Sequence, residues 1–327
     1  MSAPLLEAQD LRTWFTVRGG GFFRRTQATL KAVDGVSLSI GRQEVLGLVG
    51  ESGCGKSTLA RTLIRLVDPV SGVIRFEGKD ITRLSSREMR PYRTRLQMVF
   101  QDPYASLNPR MTVFDSLAEP LRVHGLAKGA EVAPKVGALM EQAGLARRQM
   151  RKYPHEFSGG QRQRVAIARA LATGPELIIA DEPVSALDVS VQAQILNLLM
   201  QLSREHRLSM LFISHDLAVV RHVSDRIGVM YLGNLVELGP AEDIFERPRH
   251  PYTRALLAAI PEPGKTAPPP LKGEPPSPLS PPGGCPFHTR CPFAIEACTQ
   301  ARPPLEAIDH PGHVAACIRQ REIAAMG

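Results

Sequence analysis

The densest chemical signal in this sequence is Gly50-Glu51-Ser52-Gly53-Cys54-Gly55-Lys56-Ser57-Thr58. Glycines at this spacing permit dihedrals that side chains disfavour, so successive N–H groups can turn inward on an anion. Lys56 would then reach the β/γ-phosphates of a nucleotide, and the Ser57 hydroxyl would hold Mg²⁺. Three polar groups elsewhere each follow an apolar run: Gln101 after Leu96-Gln97-Met98-Val99-Phe100, Asp181-Glu182 after Leu177-Ile178-Ile179-Ala180, and His215 after Met210-Leu211-Phe212-Ile213-Ser214. Asp181 would hold Mg²⁺ through water, and Glu182, facing the other side of the backbone, would orient and deprotonate an attacking water. His215 would touch the γ-phosphate, and the Gln101 oxygen would approach Mg²⁺. Each residue alone has a plainer reading, as a glycine turn, a solvated strand end or an ordinary polar residue. A complete phosphate loop upstream favours the catalytic reading.

These groups need elements to carry them. Val45-Leu46-Gly47-Leu48-Val49 reads as a buried strand before the loop, and Leu59, Leu63 and Leu66 fall on one face of a helix after it. Leu177–Ala180 is apolar throughout, as in a parallel strand covered on both faces, whose carboxyl end is where ligands bind. Asp102 to about Phe157 reads as a helical insertion, with Val113, Leu117 and Leu121 on one face and Val136, Leu139 and Met140 on another. Ser158-Gly159-Gly160-Gln161 opens a helix with Ser158 as its N-cap, and Val165, Ala168 and Leu171 share a face. Pro183–Asp188 is a loop before an amphipathic helix bearing Val191, Ile195, Leu198, Leu199 and Leu202, and Arg226 to Gly239 is a hairpin turning at Gly233-Asn234. At the N-terminus two alternating stretches, Leu11–Val17 and Val33–Ile40, read as antiparallel strands joined through the loop Arg18–Arg25. Within the first of them Phe15 reads equally as a core aromatic or as a stacking partner for a base.

Composition bounds the rest. A chain of 327 residues can bury one large domain with an appendage, or two domains. No apolar run approaches the roughly 18 residues that cross a bilayer, so membrane work must pass through a partner. The first residues lack a basic segment followed by an apolar core, which favours the cytoplasm. The formal charge of +8 is mostly scattered arginine without any nucleic-acid signature, so no nucleic-acid partner is expected. Of five cysteines, Cys54 sits in the phosphate loop and four, Cys285, Cys291, Cys298 and Cys317, crowd the tail, which implies a local task for those four. Prolines between about 248 and 282 mark a semi-extended linker.

Taken together, the motifs resemble the ABC ATPases. Gly50 to Thr58 is similar to their Walker A, Gln101 to the Q-loop, Phe157-Ser158-Gly159-Gly160-Gln161 to the signature, Leu177 to Glu182 to Walker B, Ser185-Ala186-Leu187-Asp188 to the D-loop and His215 to the switch histidine. They stand in the family's order over about three-quarters of the chain, with Phe157 in place of the usual leucine. The resemblance implies an α/β fold: a P-loop NTPase (RecA-like) core with an antiparallel β subdomain and a helical signature subdomain at about 102–160, within an ATPase domain over 1–250. A proline-rich linker over 251–282 and a small cysteine-rich extension over 283–327 would follow. The loop itself, Gln101–Arg110 and His250-Pro251-Tyr252-Thr253 narrow the resemblance to the ATP-binding subunits of bacterial dipeptide/oligopeptide importers, and the insertion after Phe15 is more similar to the F-type than to the D-type subunit.

That family resemblance implies ATP and Mg²⁺ as ligands and Phe15 as the adenine-stacking aromatic. Gly50, Ser52, Gly53, Cys54, Gly55, Lys56, Ser57, Thr58 and Gln101 would contact ATP. Ser158, Gly159, Gly160, Gln161 and Asp188 would act in trans on the nucleotide of a related D-type subunit, so that neither subunit closes a site alone. Glu182, His215 and Lys56 would be catalytic, and Ser57, Gln101 and Asp181 would serve Mg²⁺. Beneath two transmembrane permeases fed by a periplasmic binding protein, on the cytoplasmic membrane face, hydrolysis would power peptide import. The spacing Cys285-x5-Cys291-x6-Cys298-x18-Cys317 resembles an extension in which four cysteines hold a four-iron–four-sulfur cluster; read from the residues alone, zinc, a disulfide and free thiols remain alternatives. A soluble ABC ATPase acting on nucleic acid or ribosomes, and a nucleotide-binding regulator, are the competing functions. The single ATPase unit weighs against the first, and Glu182 with His215 against the second.

Overall fold

A computed structural model describes residues 3–19, 26–185, 187–260, 273–308 and 312–325. Most of the loop expected at 18–25, Ala186 of the loop before Asp188, and 261–272 of the expected linker lie outside the described residues. Two compact units divide the chain: Met1–Ser39, Leu46–Thr82 and Ser214–Gly327 form the first, and Ile40–Val45 with Arg83–Ile213 the second.

The first unit carries a four-stranded sheet in the order Thr26–Ile40, Leu6–Gly19, Ser71–Phe76 and Lys79–Asp80. Its alternating sequence buries Leu6, Ala8, Leu11, Ile74 and Phe76 on one face. Beside it in the same unit run Glu306–Ala307, Val314–Ala315, Asn234–Pro240, Arg226–Tyr231 and Val45–Val49, in that sheet order. Val45–Val49 pairs parallel with Arg226–Tyr231 from Leu46↔Arg226 to Val49↔Val229, and all five of its residues are buried. The hairpin pairs Asn234 with Tyr231, so it turns at Leu232-Gly233 and not at Gly233-Asn234. Both turn residues have positive φ, 42° and 77°, as a two-residue hairpin of primed type requires.

Two more expectations need correction here. The helix after the phosphate loop spans Lys56–Leu63 and stops where Arg65 turns left-handed at φ 56°, which leaves Leu66 half-exposed beyond it instead of on the buried face with Leu59 and Leu63. The expected linker over 251–282 does not begin at 251. Pro251–Ala258 is a helix with Pro at its first position and with Tyr252 and Thr253 fully buried. Gly273–Pro282 is largely exposed and has neither helix nor strand. The cysteine-rich segment is not set apart either: Val314–Ala315 pairs with Leu238 and Glu237, and the segment groups with the first unit.

In the second unit three parallel strands lie in the order Ser209–Ile213, Leu177–Asp181, Leu96–Val99, with Asp181 opposite Ile213 and Val99 opposite Ala180. Helices Val113–Val123, Val132–Gln142, Gly159–Leu171 and Val189–Glu205 accompany them. The two expected apolar faces meet in one core: Val113, Leu117, Leu121, Val136, Met140, Val165 and Ala168 are buried together, and Leu139 packs on its edge. The helical segment groups with these strands in the second unit. Among the described residues, no helix is long and apolar enough to cross a membrane.

Candidate functional site

The phosphate loop is shaped by what surrounds its glycines. Gly55 has φ 107°, and a Cβ there would lie 2.0 Å from the Ala32 carbonyl oxygen; at Gly50, φ 152°, it would lie 2.2 Å from that of Met230. Only glycine lets the loop bend this close to neighbouring backbone. Lys56 is buried, and its Nζ donates to the carbonyls of Gly50 (2.7 Å) and Glu51 (3.1 Å), which holds the ammonium against the loop. Ser52 and Gly53 are exposed, Ser57 and Thr58 half-buried at the helix N-terminus. The partial positive charge at that helix N-terminus favours an anion. Burial pushes the Cys54 thiol up against the opposing pull of Lys56, so it sits in the loop as a small neutral group.

Phe15 is 39% exposed on the strand Leu6–Gly19, whereas Thr13 is fully buried. His215 is exposed two residues beyond Ser209–Ile213, and the strand order expected for it holds, since that strand pairs with Leu177–Asp181. Ser214 Oγ accepts from the Asp216 N–H at 3.0 Å, and Asp216 caps the helix Leu217–Val223, so the chain is anchored on both sides of His215.

In the second unit the structure brings Gln101 and Glu182 together: the Gln101 amide donates to Glu182 Oε2 at 3.1 Å. Asp181 ends its strand 1% exposed. Glu182 does not continue the strand's alternation, as the sequence suggested it would. It turns left-handed at φ 44° while its N–H donates to Ile213 O at 3.0 Å, so the turn aims its carboxylate. A non-glycine residue held there costs on the order of 1–3 kcal/mol, a strain typical of functional positions. Ser158 caps Gly159–Leu171 as expected and closes a capping box: its Oγ accepts from Gln161 N–H (3.3 Å), and Gln161 Oε1 accepts from Ser158 N–H (3.1 Å). Phe157, where the leucine was expected, is buried in the helical core and anchors that turn. Asp188 stands exposed before Val189–Glu205.

Sequence reasoning missed the support of the loop from the C-terminal region. Tyr252 Oη accepts from the Glu51 N–H at 2.9 Å, and Arg290 forks onto the Glu51 carboxylate at 2.8 and 3.1 Å. That carboxylate holds the guanidinium charged, its pKa driven upward. The only signal was Arg290 lying between the cysteines, which says nothing about its partner. Cys285, Cys291, Cys298 and Cys317 are free thiols lining one cavity of about 20 Å³ with Phe287 and His288. Burial pushes Cys285, Cys291 and Cys317 up, Cys317 to about 11. Among the described residues no three His, Cys, Asp or Glu side chains form a group that could hold a metal ion.

Known proteins resemble this chain over most of its length. Residues 33–185 match the ABC transporter family, and 236–298 match the oligopeptide/dipeptide transporter C-terminal region. The oligopeptide transport ATP-binding protein OppF of Escherichia coli (strain K12) is 53% identical over 310 residues, covering 92% of each chain. AppF, the oligopeptide transport ATP-binding protein of Bacillus subtilis (strain 168), is 52% identical over 319 residues and covers 96% of each. Among solved structures, the dimeric ATP-binding cassette MJ0796 in a post-hydrolysis state bound to ADP and Pi superposes with TM-score 0.64 at 29% identity, covering 72% of this chain and 98% of that one. With the phosphate loop, the paired acids and the capped signature turn all in place, this chain belongs to the ABC transporter family and carries the C-terminal region of its oligopeptide/dipeptide transporters.

Proposed function

We propose that the chain is the ATP-binding and ATP-hydrolysing subunit of a peptide-type ABC importer, and that it works from the cytoplasmic face of the membrane beneath two permeases supplied by a substrate-binding protein. The observation that carries the hydrolytic reading is Glu182, strained, half-buried and bonded to Gln101 directly after the buried Asp181. The peptide cargo is supported by the match over 236–298 and by the transport proteins named above.

In this reading Lys56 takes the β/γ-phosphates, the loop N–H groups hold the α/β-phosphates, and Phe15 offers its exposed face to adenine. Ser57 and Asp181 would supply hard oxygen donors of the kind Mg²⁺ prefers, and Gln101 an amide oxygen; a bound ion would neutralise phosphate charge. Glu182 takes a proton from water as that water attacks the γ-phosphorus, the bond from the γ-phosphorus to the β–γ bridging oxygen breaks with ADP as leaving group, and His215 steadies the departing γ-phosphate. The exposed Ser158 and Asp188, with Gly159, Gly160 and Gln161 at a helix N-terminus, serve the nucleotide of a related D-type subunit. The family's dimeric cassettes support a composite site. Four uncrosslinked thiols around one cavity are the donor set of a four-iron–four-sulfur cluster at Cys285, Cys291, Cys298 and Cys317. The cavity has room for little more than a water, so these side chains must draw back to take a cluster in.

The test is ATP turnover of the chain assembled with permeases and a D-type subunit in lipid, after anaerobic purification with iron and sulfide quantified. Glu182→Gln is expected to retain ATP binding and lose turnover by at least two orders of magnitude. Retained turnover would remove Glu182 as the base; stimulation by nucleic acid and indifference to permeases would favour a soluble clamp instead.

A further inference from the structure

Glu51 places a carboxylate inside the loop that must accept a polyphosphate. Such a charge opposes a bound phosphate by Coulomb repulsion, and less water between them makes the repulsion stronger. The structure answers this charge with Arg290. Its guanidinium is largely buried, forks onto both Glu51 oxygens at 2.8 and 3.1 Å, and reaches Tyr231 Oη at 3.5 Å. Tyr252 Oη holds the Glu51 backbone N–H from the same region. Tyr231, Tyr252 and Phe287 pack ring against ring, with centroids 4.7 to 5.3 Å apart, and fix where Arg290 emerges.

We infer that Arg290 is a positioning residue for nucleotide binding: it neutralises the Glu51 carboxylate and holds it away from the phosphates, so affinity of the loop for nucleotide depends on the C-terminal cysteine-rich segment. The inference rests on the reading of Gly50–Thr58 as the phosphate site. Its sign is specific. Losing Arg290 harms binding because an unpaired carboxylate is left behind, and removing that carboxylate as well restores it.

Mg–ADP, which engages the loop without turnover, is titrated calorimetrically into the full-length chain. Arg290→Met is expected to weaken binding about ten-fold, Arg290→Lys about three-fold because charge survives while the fork is lost, and Arg290→Met with Glu51→Gln to return within about three-fold of the parent. Should Arg290→Met fail to fold, Arg290→Lys binding as tightly as the parent, or a double variant more than ten-fold weaker than the parent, overturns the inference instead. Binding within two-fold of the parent in Arg290→Met overturns the inference, and so does a double variant as weak as Arg290→Met or an Arg290→Lys as weak as Arg290→Met. Lys56→Ala separates the two readings. If it leaves Mg–ADP affinity unchanged, the phosphate-site reading itself fails; if it abolishes binding while Arg290→Met does nothing, only the role of Arg290 falls.

Discussion

Gln101 and Glu182 lie 81 residues apart in sequence and meet at 3.1 Å, amide nitrogen to carboxylate oxygen. One comes from the end of Leu96–Val99 and the other from the end of Leu177–Asp181, strands that pair in parallel register. In the proposed reading of Glu182 as the base, the contact gives its carboxylate a neutral partner that steers it without supplying a competing charge. Replacing Gln101 by Ala should lower kcat of the assembled transporter about ten-fold and leave Mg–ADP affinity of the chain within two-fold. Steady-state ATPase assays beside calorimetry check this; an equal loss in both would mean that Gln101 acts in binding instead.

His250 should make stability fall in mild acid. It is buried and accepts the Tyr252 N–H at Nδ1, 3.1 Å away, as N-cap of Pro251–Ala258. Burial lowers its pKa from 6.5 to about 4 despite the nearby Glu237 carboxylate. A depressed folded-state pKa means that the unfolded chain binds the extra proton first. The contribution is therefore complete above pH 6.5 and is lost as pH falls toward 4. Between pH 7.5 and pH 5 it should amount to about 2 kcal/mol. Urea melts at the two pH values, compared with His250→Asn, which can still cap the helix, should show the variant losing about that much less; equal losses would contradict the assignment.

Phe287 should matter more than its position between two cysteines suggests. It is 1% exposed and packs on Tyr231, Tyr252 and His250. Phe287→Ala is expected to cost about 3–5 kcal/mol. Thermal melting of the full chain reads this, and a change below about 1 kcal/mol would show the aromatic cluster to be loosely packed.

Ser158→Ala opens the capping box and leaves the Gln161 N–H without its side-chain acceptor. About 1 kcal/mol of stability should go with it. If Ser158 also serves a partner's nucleotide, turnover of the assembled transporter should drop well beyond what Ser158→Asn shows, since asparagine still caps. Equal activity in the two variants would confine Ser158 to capping.

Local chemistry alone determined much of this protein. The glycine spacing of the phosphate loop, the all-apolar strands ending in Asp181 and before His215, the Ser158 N-cap and the two helical faces around Val113 and Val136 are short-range signals, because they depend on hydrogen bonds and periodicities within a few residues. The same reasoning overshot where a local rule met tertiary demand. Leu66 fits the helical period but lies past a left-handed Arg65; prolines near 251 look like linker, yet Pro251 opens a buried helix; and Glu182 leaves the strand alternation to be aimed by a turn.

Tertiary structure alone decided which distant groups meet. Arg290 reaches Glu51 across 239 residues of sequence, and His313 reaches the buried Glu237 at 2.8 Å across 76. Nothing in the composition of either segment names its partner. Such pairs arise because strand pairing and aromatic packing bring the C-terminal segment onto the phosphate-loop unit, where a charge removed from water must find its complement. The glycine loop was therefore written locally, while the pairing of its Glu51 with Arg290 depended on the fold.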